Sequence, residues 1–73
     1  MYIIIEHSGT SDAMDIVEEI EEMLADDGHV TEQIVSSTDV VTLYNEDNKI
    51  IGNFNKIPEE TLLRFYVELA NEE

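Results

Sequence analysis

Cysteine is absent from all 73 residues. No disulfide framework, thiolate metal site or cysteine nucleophile is available, so a small core holds the fold unaided or with the help of a partner subunit. The absence also fits a reducing, cytoplasmic setting. Basic residues are nearly absent: Lys49, Lys56 and Arg64 stand against 18 acidic residues, for a net charge of −15. Such a surface repels phosphates at long range and opposes direct contact with nucleic acid or anionic lipid. Long apolar runs are missing too. MYIIIEHSG has three successive isoleucines but no basic leader, and nothing approaches the ~20 residues that span a bilayer, so neither a signal peptide nor a membrane span is expected.

What is present is enough for a core. A chain of this length makes one domain, burying roughly 60% of the surface that its unfolded form exposes. Hydrophobic residues make up 42% of the sequence. They cluster in short runs, with no low-complexity stretch or internal repeat, so the high charge does not imply disorder.

Tyr2 to Glu6 is β-branched and apolar at successive positions, which predicts a first strand buried on both faces over most of its length. Gly9 breaks it, and Thr10, Ser11 or Asp12 can cap a helix running from about Asp12 to Asp27. Ala13, Ile16, Val17, Ile20, Met23 and Leu24 fall on one stripe of that helix, and Gly28 supplies its left-handed stop. Val30 to Ser36 reads as a half-buried second strand. DVVTLY and KIIGNF flank the polar tip Asn45-Glu46-Asp47-Asn48, a hairpin signal. Pro58 suits the first turn of a second helix ending near Asn71, where Glu59 and Glu60 meet the positive end of the dipole. Leu62, Phe65, Tyr66 and Leu69, with Leu63, Val67 and Ala70, give it a broad apolar face, and Arg64 can pair with Glu60 and Glu68. The order β-α-β-β-β-α predicts an α+β two-layer sandwich: a small mixed or antiparallel sheet with two helices on one face. A right-handed crossover would set the second strand parallel to the first.

Chemistry has few candidates. His7 and His29 close the two ends of the first β-loop-helix unit and read as polar loop residues; they form a proton-transfer pair only if the fold brings them to one pocket. They lack the spacing that aims two imidazoles at one metal ion. His7-Ser8-Gly9 and Gly9-Thr10-Ser11 have neither a nucleophile elbow nor a lysine after a glycine-rich loop. NEDNK lacks the alternating ligands, central glycine and distal glutamate of a calcium loop. The adjacent carboxylates Glu18-Glu19 and Glu21-Glu22 point about 100° apart. No D-S-L triplet for a phosphopantetheine occurs. No catalytic residue, cofactor or metal is therefore expected, nor an enzyme.

The strongest signal is DIVEEIEEMLADDG, residues 15 to 28, with seven carboxylates and no lysine or arginine. With Ile20 at the centre of the buried stripe, helical spacing turns Asp12, Asp15, Glu18, Glu19, Glu21, Glu22 and Asp26 outward. Those seven cover about 21 Å of axis, roughly one charge per 3 Å, near the ~3.4 Å per phosphate of one DNA strand. Asp15 with Glu19, Glu18 with Glu22 and Glu22 with Asp26 are repulsive i,i+4 pairs, each costing roughly 0.2–0.5 kcal/mol where a lysine would have gained as much. Asp26 and Asp27 also sit where the helix dipole disfavours anions. A solvated face is one account of this pattern. Halophilic adaptation is another, opposed by glutamate outnumbering aspartate twelve to six. An acidic patch for a basic partner unrelated to DNA is a third.

In the charge of residues 12 to 27, in size and in lacking a catalytic set, the chain resembles the DNA-mimic inhibitors that phages and mobile elements use against restriction, CRISPR and repair enzymes. The resemblance implies a stoichiometric, non-enzymatic inhibitor in the cytoplasm of a bacterial cell. Its partner would be a basic nucleic-acid-binding protein, with a CRISPR-Cas or restriction component as the type. Asp12, Asp15, Glu18, Glu19, Glu21, Glu22, Asp26 and Asp27 would meet its lysines and arginines, and Glu46 and Asp47 at the hairpin tip would extend the patch. The competing expectation is an acidic adaptor or regulatory subunit that binds through an apolar patch on the second helix around Phe65, Tyr66 and Val67. A second copy, giving a homodimer, is one way to cover such a patch.

Overall fold

The computed structural model describes residues 1–71. Its elements are β1 (Tyr2–His7), α1 (Ser11–Asp26), β2 (Val30–Val35), β3 (Val41–Tyr44), β4 (Ile50–Phe54) and α2 (Glu60–Asn71). The fold is α+β in the expected order, with one four-stranded mixed sheet ordered β2-β1-β3-β4. β1 runs parallel to β2, with Tyr2 opposite Val30 and His7 opposite Val35, and antiparallel to β3, with Ile5 opposite Leu43. β3 and β4 form the hairpin.

Alternation along β1 sends Ile3, Ile5 and His7 under the helices and leaves Tyr2, Ile4 and Glu6 half-buried on the other side. The expectation of a first strand buried on both faces is corrected here: both helices cover one face, so the residues of the opposite face have no second layer above them. The core joins Ile3 and Ile5 to Val17, Ile20 and Leu24 of α1, Val41 and Leu43 of β3, Ile51 and Phe54 of β4, and Leu63 and Val67 of α2.

β2 also departs from expectation. It is an edge strand, and every one of its residues except Thr31 is exposed. Apolar alternation predicts a face for the helices, but its helix-side residues are Thr31, Gln33 and Val35, which lie beyond the apolar stripe of α1.

The ends of the elements follow from local chemistry. Thr10 caps α1, its hydroxyl accepting from the Ala13 amide at 3.2 Å. Gly28, at φ 85°, takes the left-handed turn that a side chain would resist. At the hairpin tip Asn45 is buried, and its Oδ1 accepts from the amides of Asp47 at 2.9 Å and Lys49 at 3.0 Å. α2 begins two residues later than Pro58. The Leu63 amide donates to the Glu59 carbonyl, which puts Glu59 at the cap and Pro58 in the segment leading to it. No helix among the described residues is long and apolar enough to cross a membrane.

Candidate protein-binding face

Asp12, Asp15, Glu18, Glu19, Glu22 and Asp26 are all exposed along α1. At 100° per residue they occupy an arc of about 120°, centred about 140° around the helix from Ile20. None has an ion-pair partner among the described residues, where the two arginine pairs recorded are Arg64 with Asp27 and Arg64 with Glu60. The first turn holds one acid, Asp12, and the last turn no base, so the charge runs against the helix dipole at the C-terminal end.

Two of the expected outward acids are turned to internal use. Glu21 lies about 60° outside the arc, on the side of β2. Its carboxylate accepts from the Gln33 side-chain amide at 3.0 Å and from the Thr31 hydroxyl at 3.3 Å. It is half-buried. Its position is therefore corrected from the solvated face to the α1–β2 seam: helical spacing alone does not reveal that the edge strand presents two polar donors to this flank. Asp27, which follows the last turn, receives both Nε of Arg64 at 3.2 Å and Nη2 at 3.1 Å. Arg64 also reaches Glu60 at 2.8 Å but not the expected Glu68, because Asp27 takes the rest of its fork. The two carboxylates, Asp27 first, hold the guanidinium above its ordinary pKa.

The tip acids Glu46 and Asp47 are exposed. Glu46 accepts from the Tyr2 amide at 3.2 Å, which anchors the tip beside the start of β1. The Val30 amide donates to the Met1 carbonyl, so the C-terminal end of α1 comes down at this same end of the sheet. The tip and Asp26 thus share one end of the molecule, with Met1 and His29 between the two segments.

His7 and His29 do not meet. They lie near opposite ends of β1, roughly 17 Å of strand apart. His7 is a buried strand residue rather than a loop histidine. Its Nδ1 accepts from the Gly9 amide at 3.0 Å, which leaves the proton on Nε2 to donate to Gln33 Oε1 at 3.0 Å. Gln33 passes the chain on to Glu21, so Gly9, His7, Gln33 and Glu21 stitch β1, β2 and α1 together. His29 is half-buried, its Nδ1 3.3 Å from the N-terminal amine. Burial, and then the ammonium charge, hold it below its ordinary pKa against an opposing pull from Asp27.

An open cleft of about 360 Å³ lies between Ser8, Thr10 and Asp12 on one side and Thr38, Asp39 and Asn55 on the other. No imidazole lines it, and the Ser8 hydroxyl is bonded to Thr10 Oγ1 at 3.1 Å. Among the described residues, no group of three or more His, Asp or Glu is placed to hold a metal ion.

Two exposed apolar features join the acidic arc. On α2, Leu62, Phe65 and Leu69 are 44%, 53% and 45% exposed. Their spacing puts them together, about 150° around the helix from the buried Leu63 and Val67 side. On β2, Val30, Ile34 and Val35 are exposed. The expected patch around Phe65, Tyr66 and Val67 is corrected: Val67 is buried in the core and Tyr66 half-buried, so of the three only Phe65 is exposed, because Val67 turns with Leu63 toward the sheet; the β2 feature needed the strand order, which no local signal carries. Against known protein families, characterised proteins and solved structures, the chain finds no match.

Proposed function

We infer that this chain is a non-enzymatic inhibitor that occupies the nucleic-acid groove of a bacterial defence or DNA-processing enzyme, such as a CRISPR-Cas effector or a restriction enzyme. The supporting observation is the exposed arc of Asp12, Asp15, Glu18, Glu19, Glu22 and Asp26 on a helix whose one other acid, Glu21, and whose capping Asp27 are bonded internally. Along about 21 Å of axis these six amount to about one charge per 3.5 Å, against ~3.4 Å per phosphate on one DNA strand. A basic groove and a surface of net charge −15 attract at long range, which speeds encounter and rejects acidic partners. Nothing is turned over: inhibition is stoichiometric and competes with DNA in the bacterial cytoplasm.

The test uses the immobilised chain, a nucleic-acid-free lysate of a bacterial host and rising salt. The expected result is retention of a DNA-binding enzyme that elutes at moderate salt, that duplex DNA displaces, and that the triple variant Glu18→Lys, Glu19→Lys, Glu22→Lys does not hold. Retention by the folded triple variant overturns the reading.

A second reading has its own support in the exposed flank of Leu62, Phe65 and Leu69. On this reading the chain is an acidic adaptor or regulatory subunit that docks through α2, and a second copy is one occupant. Salt separates the two. Charge-driven binding weakens steeply as the Debye length falls from ~10 Å at 0.1 M, whereas apolar docking persists.

A further inference from the structure

β2 and β4 are the two edges of the sheet, and they are guarded differently. β4 is broken by a register shift opposite Leu43 and Tyr44 and is backed by α2, whose Tyr66 stands over Gly52. β2 has no such device: its six residues pair with β1 without a bulge, and it contains no proline and no lysine. These are the usual means by which an edge is kept from pairing with another chain.

The free hydrogen-bonding groups can be named. The Val30 amide donates to Met1 and the Ser36 amide to His7, both toward β1. Alternation along a strand then turns the N–H and C=O of Thr31, Gln33 and Val35 outward to the open edge. Exposed β-branched side chains frame them, with Val30 at 65%, Ile34 at 44% and Val35 at 67%.

Charge decides what can pair there. On the helix side, Glu21 stands over Thr31 and Gln33. On the opposite side is Glu32, exposed, paired in register with Ile4 and close enough to Tyr2 to raise the pKa of its hydroxyl. A second copy pairing β2 to β2 with its helices on the same side would bring the two α1 axes to about 14 Å, three strand spacings, close enough for their facing side chains to meet. That geometry confronts Glu18 and Glu21 of each copy, on chains that each carry −15. An extended segment with adjacent lysines or arginines turns one to each face and meets carboxylates on both instead.

We propose that β2 is a strand-addition site, at which an extended basic segment of a partner protein joins the sheet as a fifth strand. Main-chain bonds to Thr31, Gln33 and Val35 supply the register, and Glu21 and Glu32 select basic side chains. The site is separate from the outer arc of α1 and holds whether or not that arc imitates nucleic acid.

The probe is a dye-labelled seven-residue peptide in which pairs of lysines alternate with pairs of valines, so that both faces carry lysine, together with the same peptide N-methylated at the amides that would face β2. N-methylation leaves charge and side chains unchanged and leaves this protein untouched, so folding does not confound the result. The parent peptide is expected to bind and to slow hydrogen exchange at the amides of Thr31, Gln33 and Val35, and the methylated peptide to bind at least about tenfold more weakly. A Val35→Pro variant, which removes one outward amide, is expected to lose affinity for the parent peptide without any change of charge. Equal binding of the two peptides means loose attraction to an acidic surface and overturns the proposal. So does concentration-dependent protection of the same amides in the chain alone, which would make a second copy the occupant.

Discussion

The two helices lie on the same face of the same sheet and present opposite surfaces to solvent. α1 packs over β1, β2 and β3, while α2 packs chiefly on β4 at the edge. A helix is about 10–12 Å across and strands are about 4.8 Å apart, so a helix over inner strands finds sheet beneath both flanks and one at the edge finds it beneath only one. α1 therefore buries Val17, Ile20 and Leu24, packs the half-buried Ala13, Ile16 and Met23 beside them, and leaves carboxylates outside. The apolar face of α2 spans roughly 200°, about twice the ordinary stripe, and the half beyond the edge strand stays in water as Leu62, Phe65 and Leu69. One helix is finished by the fold, and the other has apolar surface to spare.

The comparison breaks most directly at the buried and exposed sides of α2. Ile20→Ala on α1 and Leu63→Ala on α2 both empty fully buried sites, and each is expected to cost about 2–5 kcal/mol in urea unfolding, a large share of the ~5–15 kcal/mol typical of a whole domain. Phe65→Ala on the exposed flank is expected to change stability by less than about 0.5 kcal/mol. If it costs as much as Leu63→Ala, that flank is covered in solution and α2 is a subunit interface rather than an open surface.

How much of this was legible in the sequence depends on the range of the interactions concerned. The order of elements, the cap at Thr10 and the stop at Gly28 came through, because each is fixed by a few neighbouring residues. The arc from Asp12 to Asp26 was legible for the same reason: helical spacing alone sets it. Glu21 was misassigned, since its inward turn depends on Thr31 and Gln33 arriving from the edge strand. Arg64 finds the expected Glu60 on its own helix, but in place of Glu68 it grips Asp27 at the end of α1, a contact that exists only once both helices share a sheet. The exposure of β2 required knowing that β3, and not β2, lies between β1 and β4.

The charged helix can be tested by relieving it. Glu22 repels Glu18 and Asp26, four residues away on either side, and Glu22→Lys turns both contacts attractive. The expected outcome is a gain of roughly 1 kcal/mol at low salt, shrinking as salt is added. The same change is expected to weaken any partner held by the arc. A loss of stability would mean that Glu22 has a bonding role like that of Glu21, and the arc would shrink accordingly.

Arg64→Met tests the tie between the helices while keeping most of the apolar stem. It frees Asp27, left at the unfavourable end of α1, and Glu60. A lower urea midpoint is expected, with the gap from the parent protein narrowing in high salt because the pair is solvent-exposed. A gap that does not respond to salt would assign the contribution of Arg64 to packing rather than charge.

The smallest expected effect lies at the end of the molecule where α1, the start of β1 and the hairpin tip converge. His29 has its pKa depressed from the ordinary 6.5, chiefly by burial and then by the N-terminal ammonium. A depressed histidine takes up its proton later in the folded chain than in the unfolded one. Its contribution to stability is therefore complete above the unfolded value and is lost as pH falls through the folded value. Urea midpoints measured from about pH 7 down to about pH 5 are expected to fall more for the parent protein than for His29→Gln, which cannot titrate. Every other ionisable group is common to both proteins, so the difference between the two curves isolates the imidazole. Parallel curves would mean that His29 is solvated and away from the N-terminal amine in solution, and that this end of the sheet is looser than the helix-covered core beside it.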